Sequence, residues 1–383
     1  MAGVRSCGGR AAGNGLMRVL AFTKYDCEAA STRQRLLQYL PTFAAAGIEV
    51  EVQPLLGNDY VRHLASGAGY SRAALARSYG ERARRLLARP DYDLLWVYAE
   101  LFPYLPGRAE RLAFRSGRPL VYDWDDAFFE PYRDPRRPWL MRLLLQNKLQ
   151  PLIAGAGACT CGNEYLRDIA AQWCERAIIV PTVVDTNRYE PIAKLVAGDP
   201  VVIGWIGSPT TWPNVRPLLP LIARLRKQWN VRLRVVGAGA SAERDRIDGV
   251  DFIEWSEESE IAEVQAMDIG IMPLDDSLFN RGKSGYKLIQ YMACGLPTVA
   301  SPVGVNREIV TPETGFLVDD EAGWANALSA LIRDADLRRR MGAAGRARAV
   351  ERYSLASQAP TLVELFRDLT SSSVASRTSE AIS

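Results

Sequence analysis

The chain has 383 residues, 48% of them hydrophobic and 24% charged, which is enough apolar material for two cores and too much for a disordered protein. Its formal net charge of +3 is too small to argue for a nucleic-acid partner. No stretch approaches the ~20 consecutive apolar residues that span a bilayer, which argues against a transmembrane helix.

Residues 1–16 carry glycine, alanine and scattered arginine without an apolar run, and read as a disordered leader. A strand is predicted at 17–22, then a helix through Leu36, Leu37, Leu40 and Phe43 that stops at Gly47, then a strand at 48–52. An Arg-rich helix at 71–89 leads to strands at 93–98 and 120–124. A helix at 139–153, a strand at 158–161, a short helix from Asn163 and a strand at 177–180 complete a first domain over 17–187. The run 180–185 reads as an exit strand.

Residues 188–200 mix proline, glycine and polar residues without periodicity and read as an interdomain linker. Beyond them, strands at 201–206, 231–236, 250–255, 269–272 and 297–300 alternate with helices, one of them over 258–266. This second domain is taken as 201–353, followed by a helix at 354–370 returning to the first domain and a Ser-rich disordered tail at 371–383. The fold class is α/β: two Rossmann-like, doubly wound domains facing a cleft.

Six cysteines sit mostly in apolar patterns, as reduced thiols do in a cytoplasmic protein, and the one-residue gap between Cys159 and Cys161 is no zinc spacing. The sole histidine, His63, has no nucleophile partner at a readable spacing. No metal site or cofactor is expected.

The most informative stretch is Gly282-Lys-Ser-Gly-Tyr-Lys-Leu-Ile-Gln-Tyr-Met-Ala-Cys-Gly-Leu-Pro-Thr-Val-Ala-Ser301. Gly285, Ile289, Met292 and Ala293 share a helical face, Gly295 suits a C-cap, and Pro297 forbids continuation. Arg281, Gly282 and Lys283 precede this helix, so free backbone N–H groups and cations converge where a diphosphate could sit. A basic loop that only caps an ordinary helix has the same pattern.

This stretch resembles the donor-binding signature of the retaining, GT-B-fold glycosyltransferases of family four. Ala30-Ser-Thr-Arg33, Tyr122-Asp-Trp-Asp-Asp126, Pro181-Thr-Val-Val-Asp185, Ile206-Gly-Ser-Pro-Thr-Thr211 and Ser301-Pro-Val-Gly-Val-Asn306 also look familial. The resemblance implies transfer of a sugar, with retention and without a metal, from a nucleotide diphosphate donor to a glycan, lipid-linked or small-molecule acceptor. It places donor binding at Gly207, Ser208, Thr210, Thr211, Trp255, Gly282, Lys283, Ser284, Gly285, Tyr286, Lys287 and Gln290. The family motif has two glutamates, one for the transferred sugar and one for the donor ribose. Here Gly282 and Gln290 stand in those places, with Asp275 or Asp276 as substitutes for the first.

Asp123, Asp125 and Asp126 close a predicted parallel strand, where α/β proteins hold ligands, and Asp125 roughly matches a histidine that relatives use near the sugar. Asp125, Asp123 and Lys283 are therefore the expected catalytic residues, and Arg33, Asp126 and Asn163 the expected acceptor-binding ones. Helix capping, or ion pairing with Arg133 and Arg136, is the alternative for the aspartates, as N-capping is for Thr210 and Thr211. The segment with Arg133, Arg136, Arg137, Trp139, Leu140, Arg142, Leu143, Leu144 and Lys148 suits either an anionic membrane surface or an amphipathic core helix. A nucleotide-sugar epimerase of the same fold and a non-catalytic nucleotide-sugar-binding protein are the rival readings.

Overall fold

A computed structural model describes residues 16–66, 69–192 and 199–382. The leader thus lies, but for Leu16, outside the described residues, as does the 193–198 part of the linker.

Six strands, β1 (Met17–Tyr25), β2 (Ile48–Leu56), β3 (Leu94–Tyr98), β4 (Leu120–Trp124), β5 (Ala158–Cys161) and β6 (Ala177–Ile179), form one sheet in the order β2-β1-β3-β4-β5-β6. A second takes β7 (Val201–Ile206), β8 (Val231–Val236), β9 (Val250–Ile253), β10 (Ile269–Met272), β11 (Thr298–Ala300) and β12 (Gly315–Leu317), ordered β12-β11-β10-β7-β8-β9. All pairings are parallel, which demands crossovers and leaves both faces covered. That is why β3, Leu-Leu-Trp-Val-Tyr, is an unbroken apolar run buried throughout.

On one face of the first sheet, Leu95, Val97, Tyr122 and Trp124 pack together. On the other, Trp96 meets Phe43 and Phe366, with ring centroids 5.7 and 5.3 Å away. Phe366 belongs to the final helix, Leu355–Ile382, which leaves the second domain to cover the first sheet. This helix continues to Ile382 where the composition reads as a disordered tail: extending an already packed helix adds a hydrogen bond per residue with no new nucleation cost.

Two more expectations are corrected, and one strand was not expected. The run 180–185 is not a strand: Val180 N–H still donates to Cys161, but Pro181 has no N–H and the ladder ends, leaving one bridge between Val184 and Ser354. The helix over 139–153 divides into Trp139–Leu145 and Gln150–Gly155: Pro151 has no N–H to donate four residues back, and it sits in the first turn of the second helix, where none is needed. Strand β12, three residues long, carries no readable period.

Candidate active site

In each sheet the chain order reverses beside a central strand, and α/β proteins place ligands at the carboxyl ends of strands around that point. A cleft of about 380 Å³ opens there between the domains. Its second-domain wall is built from Gly207 and Ser208 after β7, Gly237 after β8, Met272 at the end of β10, and residues 283–287. Glu28, Ala30, Gln34 and Asp126 face them from the first domain.

The anchor of this wall is the helix Tyr286–Ala293, entered through Gly285 at φ +67°. A side chain there would be strained, and its Cβ would lie 2.3 Å from Ile309 Cδ1. Backbone N–H groups of Ser284, Gly285, Tyr286 and Lys287 donate to no described residue, so the positive end of the helix stays open. Gly207 is equally constrained, since a Cβ would sit 2.3 Å from Trp205 Cζ2 and 2.8 Å from Lys287 Cε.

Two cations meet this wall. Lys283 Nζ lies 4.6 Å from the centre of the Phe279 ring, and Lys287 Nζ 5.9 Å from that of Trp205. Neither forms an ion pair among the described residues. Burial, with Lys283 adding to it and Asp126 opposing, pushes the Lys287 ammonium down to about 8. A half-buried cation without an ion pair, beside open amides, is suited to an anion.

Gln290 is buried, and its Nε2 donates to Tyr189 Oη (3.0 Å) and Glu260 Oε1 (2.9 Å). Glu260 also accepts from Tyr189 Oη and, at 2.7 Å, from Trp255 Nε1. It lines the cleft, so a carboxylate stands close to where the motif has lost one. With Glu260 in place, a glutamate at 290 would set two carboxylates side by side; glutamine donates instead. Glu260 and Tyr189 are functional candidates that sequence reasoning missed. The available signal was the acidic start of the helix, read at Glu258 and found at Glu260–Gln265.

The three aspartates separate. Asp123 is buried and spent on structure: Arg35 grips both of its oxygens, Thr160 Oγ1 donates to it at 2.5 Å, and Arg35 also donates to the Val180 carbonyl at 2.7 Å. Asp125 is buried behind the cleft wall, accepting from Tyr98 Oη at 2.7 Å and Thr182 Oγ1 at 3.1 Å. Desolvation raises its pKa. Asp123 and Asp125, expected as catalytic residues, do not line the cleft, and both carboxylates are held by protein groups. Asp126 reaches the cleft, and its side chain accepts no hydrogen bond from a described residue. Burial lifts its pKa to about 7 against the pull of Lys283 and Lys287.

Other expected residues bind protein instead of ligand. Arg33 donates to the Cys27 and Glu28 carbonyls (3.0 and 2.8 Å), pairs with Glu257 at 3.4 Å, and lies 5.3 Å from the Trp255 ring centre, so it joins the domains. Trp255 itself lines the cleft. Asn163 accepts from Leu166 N–H as a helix cap, while its amide donates to the carbonyls of Gly282 (2.9 Å) and Lys283 (3.0 Å). Neither Arg33 nor Asn163, expected to bind the acceptor, lines the cleft. Gly282 lies against Ala127, where a Cβ would meet Ala127 Cβ at 2.5 Å, and it shapes the interface beside the cleft without lining it. Thr210 and Thr211 do not line the cleft either; Thr211 Oγ1 closes the turn on Ser208 O at 3.0 Å, and Thr210 bonds Ser208 Oγ. Asp275 holds Asn280 and Asp276 holds Arg281, so neither replaces the missing glutamate.

A second cavity, of about 120 Å³, adjoins the first, and Asp126 lines both. Its wall includes Glu100 and Tyr104, within a segment bracketed by the only positive-φ non-glycine residues described, Ala99 (65°) and Tyr104 (61°). Such backbone costs on the order of 1 kcal/mol per residue and persists where the surroundings enforce it. Here the enforcement is visible. Glu100 accepts from Tyr132 Oη (2.7 Å) and Lys148 Nζ (3.0 Å), and Lys148 Nζ also reaches Glu110 at 2.7 Å. Glu110 in turn holds the N–H groups of Leu101 and Phe102.

Comparison with known proteins agrees with this architecture. Residues 200–334 match the family described as Glycosyl transferases group 1. The chain is 30% identical over 236 residues to a D-inositol 3-phosphate glycosyltransferase of Stackebrandtia nassauensis, covering 54% of this chain and 52% of that protein. It thus spans about half the length of that relative. Similarity to a phosphatidyl-myo-inositol mannosyltransferase of Mycobacterium leprae is 26% over 319 residues, 76% of this chain and 77% of the relative. Among solved structures, sucrose-phosphate synthase from Thermosynechococcus elongatus superposes with a TM-score of 0.69 at 16% identity, over 93% of this chain and 100% of that one. Anabaena HepE in complex with UDP-glucose gives 0.64 at 14% identity, over 92% and 100%. The chain therefore has the GT-B fold, and its second domain is similar over residues 200–334 to the group 1 glycosyl transferases.

Proposed function

We propose that the chain transfers a glycosyl group from a nucleoside diphosphate sugar to an acceptor hydroxyl with retention at the anomeric carbon. The observation that carries this reading is the pair Lys283 and Lys287, free of ion pairs, set beside the open N-terminus of the helix Tyr286–Ala293. The diphosphate docks there, its charge met by amides and ammonium groups and not by a metal. Trp255 and Glu260 border the nucleoside end, with Glu260 taking the place of the motif's glutamate toward the ribose. The bond from the anomeric carbon to phosphate oxygen breaks with its electrons passing to the diphosphate. The acceptor oxygen then bonds on the same face, and its proton passes to the departing phosphate. Asp126 orients the acceptor hydroxyl. Binding of UDP-glucose by a structural neighbour makes it the first donor to try. Incubation with UDP-glucose and a panel of hydroxylated acceptors is expected to release UDP and give an α-linked product by NMR. Epimerised donor without acceptor consumption, or an inverted product, would overturn the reading.

The same proposal places the enzyme in the cytoplasm at an anionic membrane face. No helix among the described residues is long and apolar enough to cross a membrane. The helix Trp139–Leu145 nonetheless leaves Trp139 70%, Leu140 51%, Leu143 60% and Leu144 54% exposed, next to Arg136, whose side chain is 90% exposed. That apolar face with a basic rim suits insertion at the headgroup boundary. Sedimentation with phosphatidylserine vesicles should show binding at low salt that fades as salt screens it, and that Trp139→Ser weakens. No binding at low salt removes the membrane from the proposal.

A further inference from the structure

Apolar exposure on this molecule is concentrated. Of the thirteen large apolar side chains exposed among the described residues, eight lie on three neighbouring segments: Tyr104 and Leu105, the helix Trp139–Leu145, and Leu278 and Phe279 of the helix Leu278–Arg281. The helix Glu130–Arg133 joins them. It packs against both the helix Trp139–Leu145 and the helix Leu278–Arg281, and its Tyr132 ring stands 5.7 Å from that of Tyr104. Tyr104 keeps its ring 55% exposed on a left-handed backbone, φ 61°, and strain of this kind gathers at binding surfaces. An apolar surface of this extent marks an interaction site.

The surface belongs to both domains. Leu278 and Phe279 come from the second and the other six side chains from the first, while Phe279 meets Tyr104 and Tyr132 across a cavity that both domains wall. Separating the domains would carry Leu278 and Phe279 away and leave two smaller patches. The continuous surface therefore exists only with the cleft closed.

The charges around it choose the partner. Glu130, Asp134 and Asp276 are paired with Arg133, Arg136 and Arg281. Arg108 and Arg111, both exposed, form no ion pair among the described residues, and neither do Arg137 and Arg142. Apolar side chains ringed by uncommitted guanidinium groups match an anionic bilayer, whose acyl chains take the first and whose phosphates take the second.

We infer that the membrane footprint spans both domains: Leu278 and Phe279 enter the headgroup boundary together with Trp139 and its neighbours, and a bilayer grips the closed molecule more tightly than the open one. The inference rests on the membrane reading above and, for what closes the cleft, on the nucleoside diphosphate reading.

The test uses the full chain, UDP, and vesicles of mixed phosphatidylcholine and phosphatidylserine at low salt. Sedimentation reads vesicle affinity with and without UDP, and calorimetry reads UDP binding without vesicles. Leu278→Ser should weaken vesicle binding about three- to tenfold, the scale of one partly buried leucine, as Trp139→Ser also does. Leu87→Ser, at a leucine of similar exposure where the helix Arg72–Leu87 ends before β3, should change nothing. UDP should raise the vesicle affinity of the parent about fivefold, the lower end of ordinary coupling between sites, and raise that of Leu278→Ser less. Parent-like vesicle binding by Leu278→Ser while Trp139→Ser binds weakly confines the footprint to the first domain and overturns the inference, with the membrane reading intact. UDP that binds by calorimetry without changing vesicle affinity overturns it as well. If UDP does not bind, the donor reading falls alone and Leu278→Ser decides the footprint. A parent protein that ignores the vesicles overturns the inference together with the membrane reading and leaves the surface to a protein partner.

Discussion

Asp126→Asn should lower turnover on the order of 10²- to 10³-fold, with nucleotide affinity little changed, because the lost carboxylate acts where charge and protons move. Asp126 lines both cavities, and its oxygens accept nothing from the described protein. Burial raises it to about 7, so its ionised, hydrogen-bond-accepting form fills in as pH rises through neutrality. Turnover of the parent enzyme should therefore climb through about pH 7, and the asparagine variant should lose that acid limb. On the alkaline side, nucleotide affinity of the free enzyme should fall above about pH 8 as Lys287 loses its proton. A bound diphosphate favours the cation and moves this limb upward. Turnover within about twofold of the parent, well under 1 kcal/mol of barrier, or an acid limb that survives in the variant, would remove Asp126 from the reaction.

Replacing Lys283 and Lys287 together by alanine should weaken nucleoside diphosphate binding by about 3–4 kcal/mol, on the order of 10²- to 10³-fold, from two charge-assisted contacts of about 1.5–3 kcal/mol each. The corresponding nucleoside should lose almost nothing, since Trp255 and Glu260 border the other end of the cleft. Structural damage is distinguishable from this effect: the empty protein already carries Lys287 as a partly desolvated cation without an ion pair, so its removal should leave Tm unchanged or raise it. Calorimetry showing parent-like affinity for the diphosphate in the double variant would displace the anion site from this helix end.

Several strands were legible to the residue. β4, β5, β7, β8 and β10 match their predicted bounds because strands of a parallel sheet covered on both faces are compact apolar runs with clear ends. The helix after Gly285 and its cation-bearing loop were equally legible, because glycine, proline and apolar spacing all speak locally. What failed was everything decided at long range. Asp123 belongs to Arg35, 88 residues away, and Asn163 to carbonyls 119 and 120 residues away. Nothing near either residue in the chain announces these partners. Which of Asp123, Asp125 and Asp126 reaches the cleft depends on a bend past the end of β4, and a single residue of offset exchanges a buried brace for a carboxylate that lines the cleft. Glu260 was hidden because a helix start was read two residues early, in a segment already acidic at Glu257 and Glu258.

The Asn163 side chain caps a helix of one domain with its oxygen and fastens the lysine-bearing loop of the other with its nitrogen. Opening the cleft must therefore cost those two carbonyl contacts and unsettle the loop that carries Lys283. On the proposed function, nucleotide occupancy and domain separation thereby become a single linked equilibrium. A donor that steadies the loop biases the molecule toward closure, and anything that holds the domains together raises donor affinity by the same factor.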